Sequence, residues 1–363
     1  MPELFGRLIS RSDLAQRTGD AGQLGGIRES VLQGGRAGGV RALDVTTGSG
    51  LTFTVLPDRC LDICAATFQG ASVCWHSPAG IAHPAYYEPE GQGWLWGFFG
   101  GLMTTCGLTQ VGSPNVDEGE HLGQHGRIAD VPAEHVRWGS DWEGDELTYW
   151  IAGTMREARL FGPDLRLHRR ITTRLGGLSL RVENTVENAG FSRSPLMILF
   201  HCNAGYPLLD DGAELLLATS QVTPRDDQAR AGLAEWSRFP GPQPGWQEQV
   251  FYHEVLADAE GWCSAAVVNR RFGGGRGLGL VVRWRGDQLF RFGEWKMTGQ
   301  GAYVVGLEPA NCGVAGRHAA REDGTLQFLE PQQSLKFELE FQILPDSAAI
   351  EREASQTRRL SQR

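Results

Sequence analysis

Along most of the chain, apolar and polar residues alternate in short runs bounded by Gly, Asp, Asn or Pro. A period of two over five to ten residues predicts half-buried β-strands rather than helices. Residues 41–47 and 51–56 alternate around Gly48-Ser-Gly50, a hairpin signal, and 146–155 alternates through Leu147, Tyr149 and Ile151. Two longer runs, 165–174 and 178–186, flank the turn Leu175-Gly-Gly-Leu178. Further strands are predicted at 194–202, 214–219, 249–254, 263–269, 277–284, 289–295, 302–307 and 334–344. Turn sequences such as Asp210-Asp-Gly212, Arg285-Gly-Asp287 and Asp323-Gly324 separate them. Helix-like composition is confined to 3–16 and 348–363, and the polar C-terminal stretch reads as a frayed tail.

No linker, composition break or repeat divides the chain. Many short strands without intervening helices predict an all-β fold, a large antiparallel sandwich or barrel. The expected organisation is one domain over 1–363, with an N-terminal extension at 1–40 and a C-terminal tail at 346–363.

Composition narrows the function classes. The 363 residues are 41% hydrophobic, enough for a sizeable core. A net charge of −9 argues against coating nucleic acid or anionic lipid, since either would select a concentrated positive field. Only Lys296 and Lys336 are lysines, so the abundance of arginine gives no single arginine a meaning. The seven cysteines contain no Cys-x-x-Cys pair, which predicts reduced thiols and a cytoplasmic protein rather than a disulfide framework or zinc ribbon. The N-terminus has no apolar h-region, so no secretion is expected. Residues 91–116 carry no charge and could span a bilayer by length. They contain seven glycines together with Gln92, Gln110 and Asn115, which fits a buried loop region and not a membrane segment.

Between Ile63 and Val116 the only formal charges are Glu88 and Glu90, among Trp75, Tyr87, Trp94, Trp96, Phe98 and Phe99. These rings either fill a core or wall a pocket, where a flat ring suits the C–H face of a sugar. His121-Leu-Gly-Gln-His125-Gly126-Arg127 holds two histidines four apart, a zinc-binding spacing on a helix. The glycines favour a loop instead, with Gly126 permitting a close approach and Arg127 offering a fork of donors. The apolar run 195–200 ends in His201-Cys-Asn203 before Gly-Tyr-Pro207, where a strand-end histidine is either catalytic or simply structural. Glu308, closing an apolar strand before Pro309, is expected to be desolvated and its pKa raised toward ~6–7. The alternative is a glutamate paired with an arginine such as Arg317. In 248–254, alternation separates Glu248, Val250, Tyr252 and Glu254 from Gln249, Phe251 and His253; His253 and Lys296 are further candidate contacts. No phosphate loop or nucleophile elbow is present. With Arg59, Arg127 and Lys296 as isolated bases, an acid- or hydroxyl-selective cleft without nucleotide is predicted.

Together, Leu56-Pro-Asp-Arg59-Cys-Leu-Asp62, the charge-free Phe98 to Gly107, His125-Gly-Arg127, His201 to Pro207 and Leu307-Glu-Pro309 resemble the aldose 1-epimerase (galactose mutarotase-like) superfamily, in its DUF4432-type branch. The resemblance covers roughly residues 40 to 345. It implies a twisted antiparallel β-supersandwich and a cleft for a small-molecule carbohydrate, with no cofactor and no metal. It also implies that His201 is the general acid, Glu308 the general base, and His125 a substrate contact. The family's Asn-Arg pair before the His-Gly motif is absent, so Arg59 or Arg127 is expected to replace it. The family's sugar-binding aspartate has no match, and Glu248 or Glu254 stands in its region. Arg127, Asn203, His253, Lys296 and Trp94 complete the predicted contacts. Two other classes stay open: a carbohydrate binder without catalysis, and a metal-dependent isomerase or lyase using His125, His201, His253 and Glu308.

Overall fold

The computed structural model describes residues 1–362. It is a β-sandwich whose strand ladders all run antiparallel. A seven-stranded sheet contains β1 (Thr104–Leu108), β2 (Ser194–Gly205), β3 (Thr219–Pro224), β4 (Gln249–Val255), β5 (Arg291–Gly299) and β6 (Ala302–Ala310), in the order β1-β2-β6-β5-β4-β3. Gln327–Leu329 pairs with the start of β2. A nine-stranded sheet begins at the edge strand Glu134–Glu143 and includes the long hairpins Glu146–Ala158, Asp164–Arg174 and Ser179–Asn188. A five-stranded sheet is built from Gly26–Val31, Arg41–Thr46, Leu51–Leu56, Asp62–Phe68 and Ala71–Ser72.

One apolar cluster ties the three sheets together. Phe200, Cys202 and Leu307 enter it from the first sheet, Ile151, Leu167 and Phe341 from the second, and Val45, Phe53 and Ile63 from the third. Period-two alternation is therefore satisfied by a core between sheets, as in other sandwiches.

Four features differ from the sequence reading. Residues 214–219 are not one strand: Ala213–Leu217 belongs to the nine-stranded sheet, and β3 starts the crossing to the other. Glu134–Glu143 went unpredicted because a polar, mostly exposed edge strand carries no apolar alternation. The expected extension at 1–40 supplies Gly26–Val31 to the five-stranded sheet, and helix in its first sixteen residues is limited to Arg11–Ala15. The expected frayed tail at 346–363 is instead a helix over Ser347–Ser361. Asp346 caps its N-terminus by accepting from the Ala349 N–H, Ala349 and Ile350 are buried against Ala266, Val281 and Leu344, and Ala354 is buried as well. Its few apolar residues share one face, and docking that face outweighs the polar composition. No helix among the described residues is long and apolar enough to cross a membrane.

Candidate active site

Alternation along β2 sends Phe200, Cys202 and Ala204 into the main core and Met197, Leu199 and His201 to the opposite face. On β6, Val305 and Leu307 face the core, leaving Gly306 and Glu308 on the His201 side. The β2–β6 register pairs Cys202 with Leu307 and Leu199 with Ala310, which brings His201 directly across from Glu308. His201 Nε2 lies 3.2 Å from Glu308 Oε1. Gly306 makes the approach possible: a Cβ there would stand 3.0 Å from both Glu308 Oε1 and His201 Cε1.

The same face continues through Trp295, opposite Gly306, and Val250, opposite Trp295. Arg225, just beyond β3, donates its backbone N–H to the Val250 carbonyl. Its guanidinium stands 2.9 Å from Glu248 Oε1 and 2.8 Å from Asp226, while the Trp295 indole N–H donates to Glu248 Oε2 at 2.8 Å. Above the sheet, the charge-free segment supplies the wall. Trp94 stacks on Phe98 at 4.3 Å and lies 4.6 Å from the His125 ring, and Phe98 lies 4.9 Å from His201. Trp75 closes the row beside Phe98 and Trp295. The resulting cleft measures about 510 Å³. Two other hollows are as large: one of about 520 Å³ beside the C-terminal helix has no histidine, and one of about 530 Å³ on the nine-stranded sheet holds His168 with its side chain 46% exposed, so buried chemistry and not volume singles out the cleft.

His125 sits in a loop at φ +55°, its N–H donating to the Gly112 carbonyl and its own carbonyl accepting from Gly107. Its Nδ1 accepts from the Gly112 N–H at 3.4 Å, which puts the proton of the neutral ring on Nε2. Gly126 is required for backbone packing, since a Cβ there would stand 2.3 Å from the Gly107 carbonyl oxygen.

Burial dominates the electrostatics. It pushes Glu308 up to about 8, with the Glu248 charge adding and Arg225 opposing. It pushes His201 down to about 3, with His125 adding, and His125 down to about 4. The direction for Glu308 matches the expectation and the shift exceeds it. A general acid at His201 needs the imidazolium, and burial disfavours that form, because a charged ring there loses its hydration.

The structure thus brings His125, His201, Glu248, Glu308 and Trp94 into one cleft and places the other candidates elsewhere. Arg59 is buried and structural: it donates to the carbonyls of Ala129, Ala82 and Gly97 and lies 3.0 Å from Asp130. Arg127 is exposed and lines a neighbouring crevice with Tyr87 and Glu157. Asn203 spends its amide N–H groups on the Gly101 and His201 carbonyls. His253 and Lys296 point through the other face of the sheet, because their neighbours Val250 and Trp295 hold the cleft-side parity. His253 meets Glu294 at 3.3 Å, and Lys296 donates to the Glu235 and Arg238 carbonyls. None of the three expected bases reaches the cleft, so the acid-selective reading loses its basis. Glu254 is exposed. Arg317 pairs with Asp117 and Glu120, not Glu308. Of the proposed aromatic wall, Trp75, Trp94 and Phe98 line the cleft, while Tyr87 lines the neighbouring crevice, Trp96 is exposed and Phe99 packs under Arg59. With His253 behind the sheet, the four-residue metal set does not converge. Among the described residues no group of three or more His, Cys, Asp or Glu could hold a metal ion.

Arg225 and Trp295 were missed. One arginine among so many carries no signal, and alternation says only that Trp295 and Lys296 face opposite sides, not which of them faces the cleft.

The family described as a domain of unknown function, DUF4432, matches residues 37–343. The chain belongs to the DUF4432 family. Among solved structures, this DUF4432 protein is similar to a Klebsiella pneumoniae subsp. pneumoniae protein provisionally named an aldose 1-epimerase, at 28% identity and TM-score 0.87, covering 92% of this chain and 87% of that one. A galactose mutarotase-like protein of Clostridium acetobutylicum matches at 11% identity and TM-score 0.62, over 89% and 99% of the two chains. A galactose 1-epimerase of Lactobacillus acidophilus matches at 10% and TM-score 0.54, over 87% and 98%. The last two likenesses show the fold, that of galactose mutarotase-like β-sandwiches. No curated protein matches.

Proposed function

We propose that this DUF4432 protein interconverts the anomers of a sugar by general acid/base ring opening, with His201 and Glu308 moving the protons. The 3.2 Å His201–Glu308 contact at the base of an aromatic cleft carries this reading. In a cyclic hemiacetal the O1 hydroxyl and the ring oxygen hang on the same carbon, so the two proton-transfer groups must be neighbours. Glu308 as carboxylate takes the O1 proton while His201 as imidazolium protonates the ring oxygen, and the C1–O5 bond breaks. Rotation about C1–C2 and the reverse transfers close the other anomer.

Burial favours Glu308 as the acid beside neutral His201, which together carry one proton. Passing that proton from Oε1 to Nε2 gives the carboxylate–imidazolium pair without any proton entering from solvent. Sugar hydroxyls donating to the carboxylate favour this form. Trp94, Phe98 and Trp295 offer ring faces, and His125, Glu248 and Arg225 take hydroxyls. The similarity to the Klebsiella protein supports the reading, and seven buried free cysteines fit the reducing cytoplasm as its location.

Anomeric exchange measured by NMR across neutral, phosphorylated and acidic aldoses tests it. Wild-type protein should catalyse exchange of at least one, and Glu308→Gln and His201→Asn should each lower turnover at least ~10²-fold. Sugar binding with no exchange of any aldose would make the protein a binder instead.

A further inference from the structure

His201 Nε2 faces Glu308, but the other ring nitrogen, Nδ1, is buried with no hydrogen-bond partner among the described residues. The same is true of the side-chain oxygen of Asn203. Residues 201 and 203 are two apart on β2, so both side chains rise from its cleft side, where Asn203 is fully buried. A buried donor and a buried acceptor left unpaired are each costly, and neighbouring ones satisfy each other.

The Asn203 amide folds back along its own strand, its Nδ2 donating to the His201 carbonyl at 2.9 Å and to the Gly101 carbonyl at 3.2 Å. Those two carbonyls fix which end of the amide is which, since a flipped amide would set oxygen against oxygen. Asn203 stands opposite Gly306 in the β2–β6 register. The His201 ring leans to the same level, with Cε1 3.0 Å from where a Gly306 Cβ would stand. With Nε2 turned to Glu308, Nδ1 occupies the ring edge away from that carboxyl. The titratable and charged groups facing His201 are Glu308 from β6, His125 from its loop, and Glu248 and Arg225 across the cleft, with the buried Cys106 thiol on β1; none of these bonds Nδ1. Burial and His125 oppose the charged ring, and a hydrogen bond to Asn203 is what favours it.

We propose that Asn203 is a positioning residue for His201: its side-chain oxygen accepts the Nδ1–H, which keeps Nε2 free to receive the Glu308 proton and supports the imidazolium once it forms. The inference rests on the acid/base reading of the cleft. A neutral ring without an acceptor at Nδ1 is free to carry its proton on Nε2, where it meets Glu308 with a donor and blocks the transfer.

Nitrogen-edited NMR of the uniformly labelled protein, with the His201 signals assigned by their loss in His201→Asn, reads which ring nitrogen holds the proton. Wild type at neutral pH should hold it on Nδ1, and a proton on Nε2 would overturn the proposal. Asn203→Leu keeps the shape and removes the acceptor. The proton should then spread to Nε2, and kcat should fall at least about tenfold with KM little changed. Asn203→Asp keeps an acceptor and adds charge, and should raise the His201 protonation midpoint from about 3 by at least about 1 pH unit. If Asn203 serves only to hold the two carbonyls, both variants lose stability while tautomer and midpoint stay in place, which overturns the proposal equally. Should Asn203→Leu fail to fold, the wild-type tautomer and the Asn203→Asp midpoint decide. A wild type that exchanges no sugar while both of these hold would end the mutarotase reading and leave the Asn203–His201 contact standing.

Discussion

Two His–Glu pairs lie on opposite faces of the same sheet. His201 and Glu308 approach to 3.2 Å on the cleft side, and His253 and Glu294 to 3.3 Å on the core side. Burial raises both glutamates to about 8 and lowers His201 to about 3 and His253 to about 4. In distance and electrostatics the pairs are near duplicates. They differ in what covers them. The His201 and Glu308 side chains each keep 7% exposure at the base of the cleft, whereas those of His253 and Glu294 have 0%. The inner pair is sealed under Trp236 and Phe292, and it leaves His253 Nδ1 and Glu294 Oε1 without a partner. A proton-transfer pair needs a substrate within hydrogen-bond reach, so access separates a candidate active site from a structural polar cluster. Perturbed titration alone does not, since buried ion pairs shift in the same way.

Substitutions should split the two pairs. On the acid/base reading, Glu308→Gln lowers turnover at least ~10²-fold, whereas Glu294→Gln changes the turnover of folded protein less than about threefold. Equal losses, measured by NMR exchange, would abolish the distinction. Stability should show the reverse order. His253→Ala leaves a cavity and strands the buried Glu294 group, at a cost of about 2–4 kcal/mol in urea unfolding. His201→Ala opens onto the cleft, where water can fill the space, and should cost less than half as much. Gly306→Ala puts a methyl against both cleft groups and should lower turnover about tenfold with little change in unfolding midpoint. The inner pair has no equivalent glycine contact. A smaller effect comes from pH. Both glutamates have folded-state pKa values raised from 4.5 to about 8. Their stabilising contribution is present at acid pH and is lost as pH rises through about 8. Wild type should therefore lose stability relative to Glu308→Gln, and to Glu294→Gln, between about pH 5 and about pH 9 in unfolding midpoints. A bound sugar should alter that slope for Glu308 and leave it unchanged for Glu294.

Local alternation made most strands legible, including 51–56 and 334–344, which match the structure at both ends. It failed where burial pattern and composition part company. The strand Glu134–Glu143 is a sheet edge with almost no buried face, and Ser347–Ser361 is a polar helix docked by three buried residues. Within the cleft, the strand-end positions of His201 and Glu308 and the charge-free stretch with Trp94 could be read directly, because a polar group closing an apolar strand is a local signal. For His253 the sequence held the answer, since alternation already put it on the side away from Glu248.

Lys296, Arg59 and Asn203 are a different case. Nothing local distinguishes a cation in a cleft from one that donates to the Glu235 and Arg238 carbonyls, or an arginine on a ligand from one holding three loops together. The sequence by itself determined the period-two pattern, hence the sheets and which side chains share a face. The tertiary structure decided which face is open, through the β2–β6 register that sets His201 opposite Glu308 and the loops that cover one pair and not the other. Faces follow from backbone geometry two residues at a time, whereas register and cover depend on contacts between segments about a hundred residues apart, which no local pattern encodes.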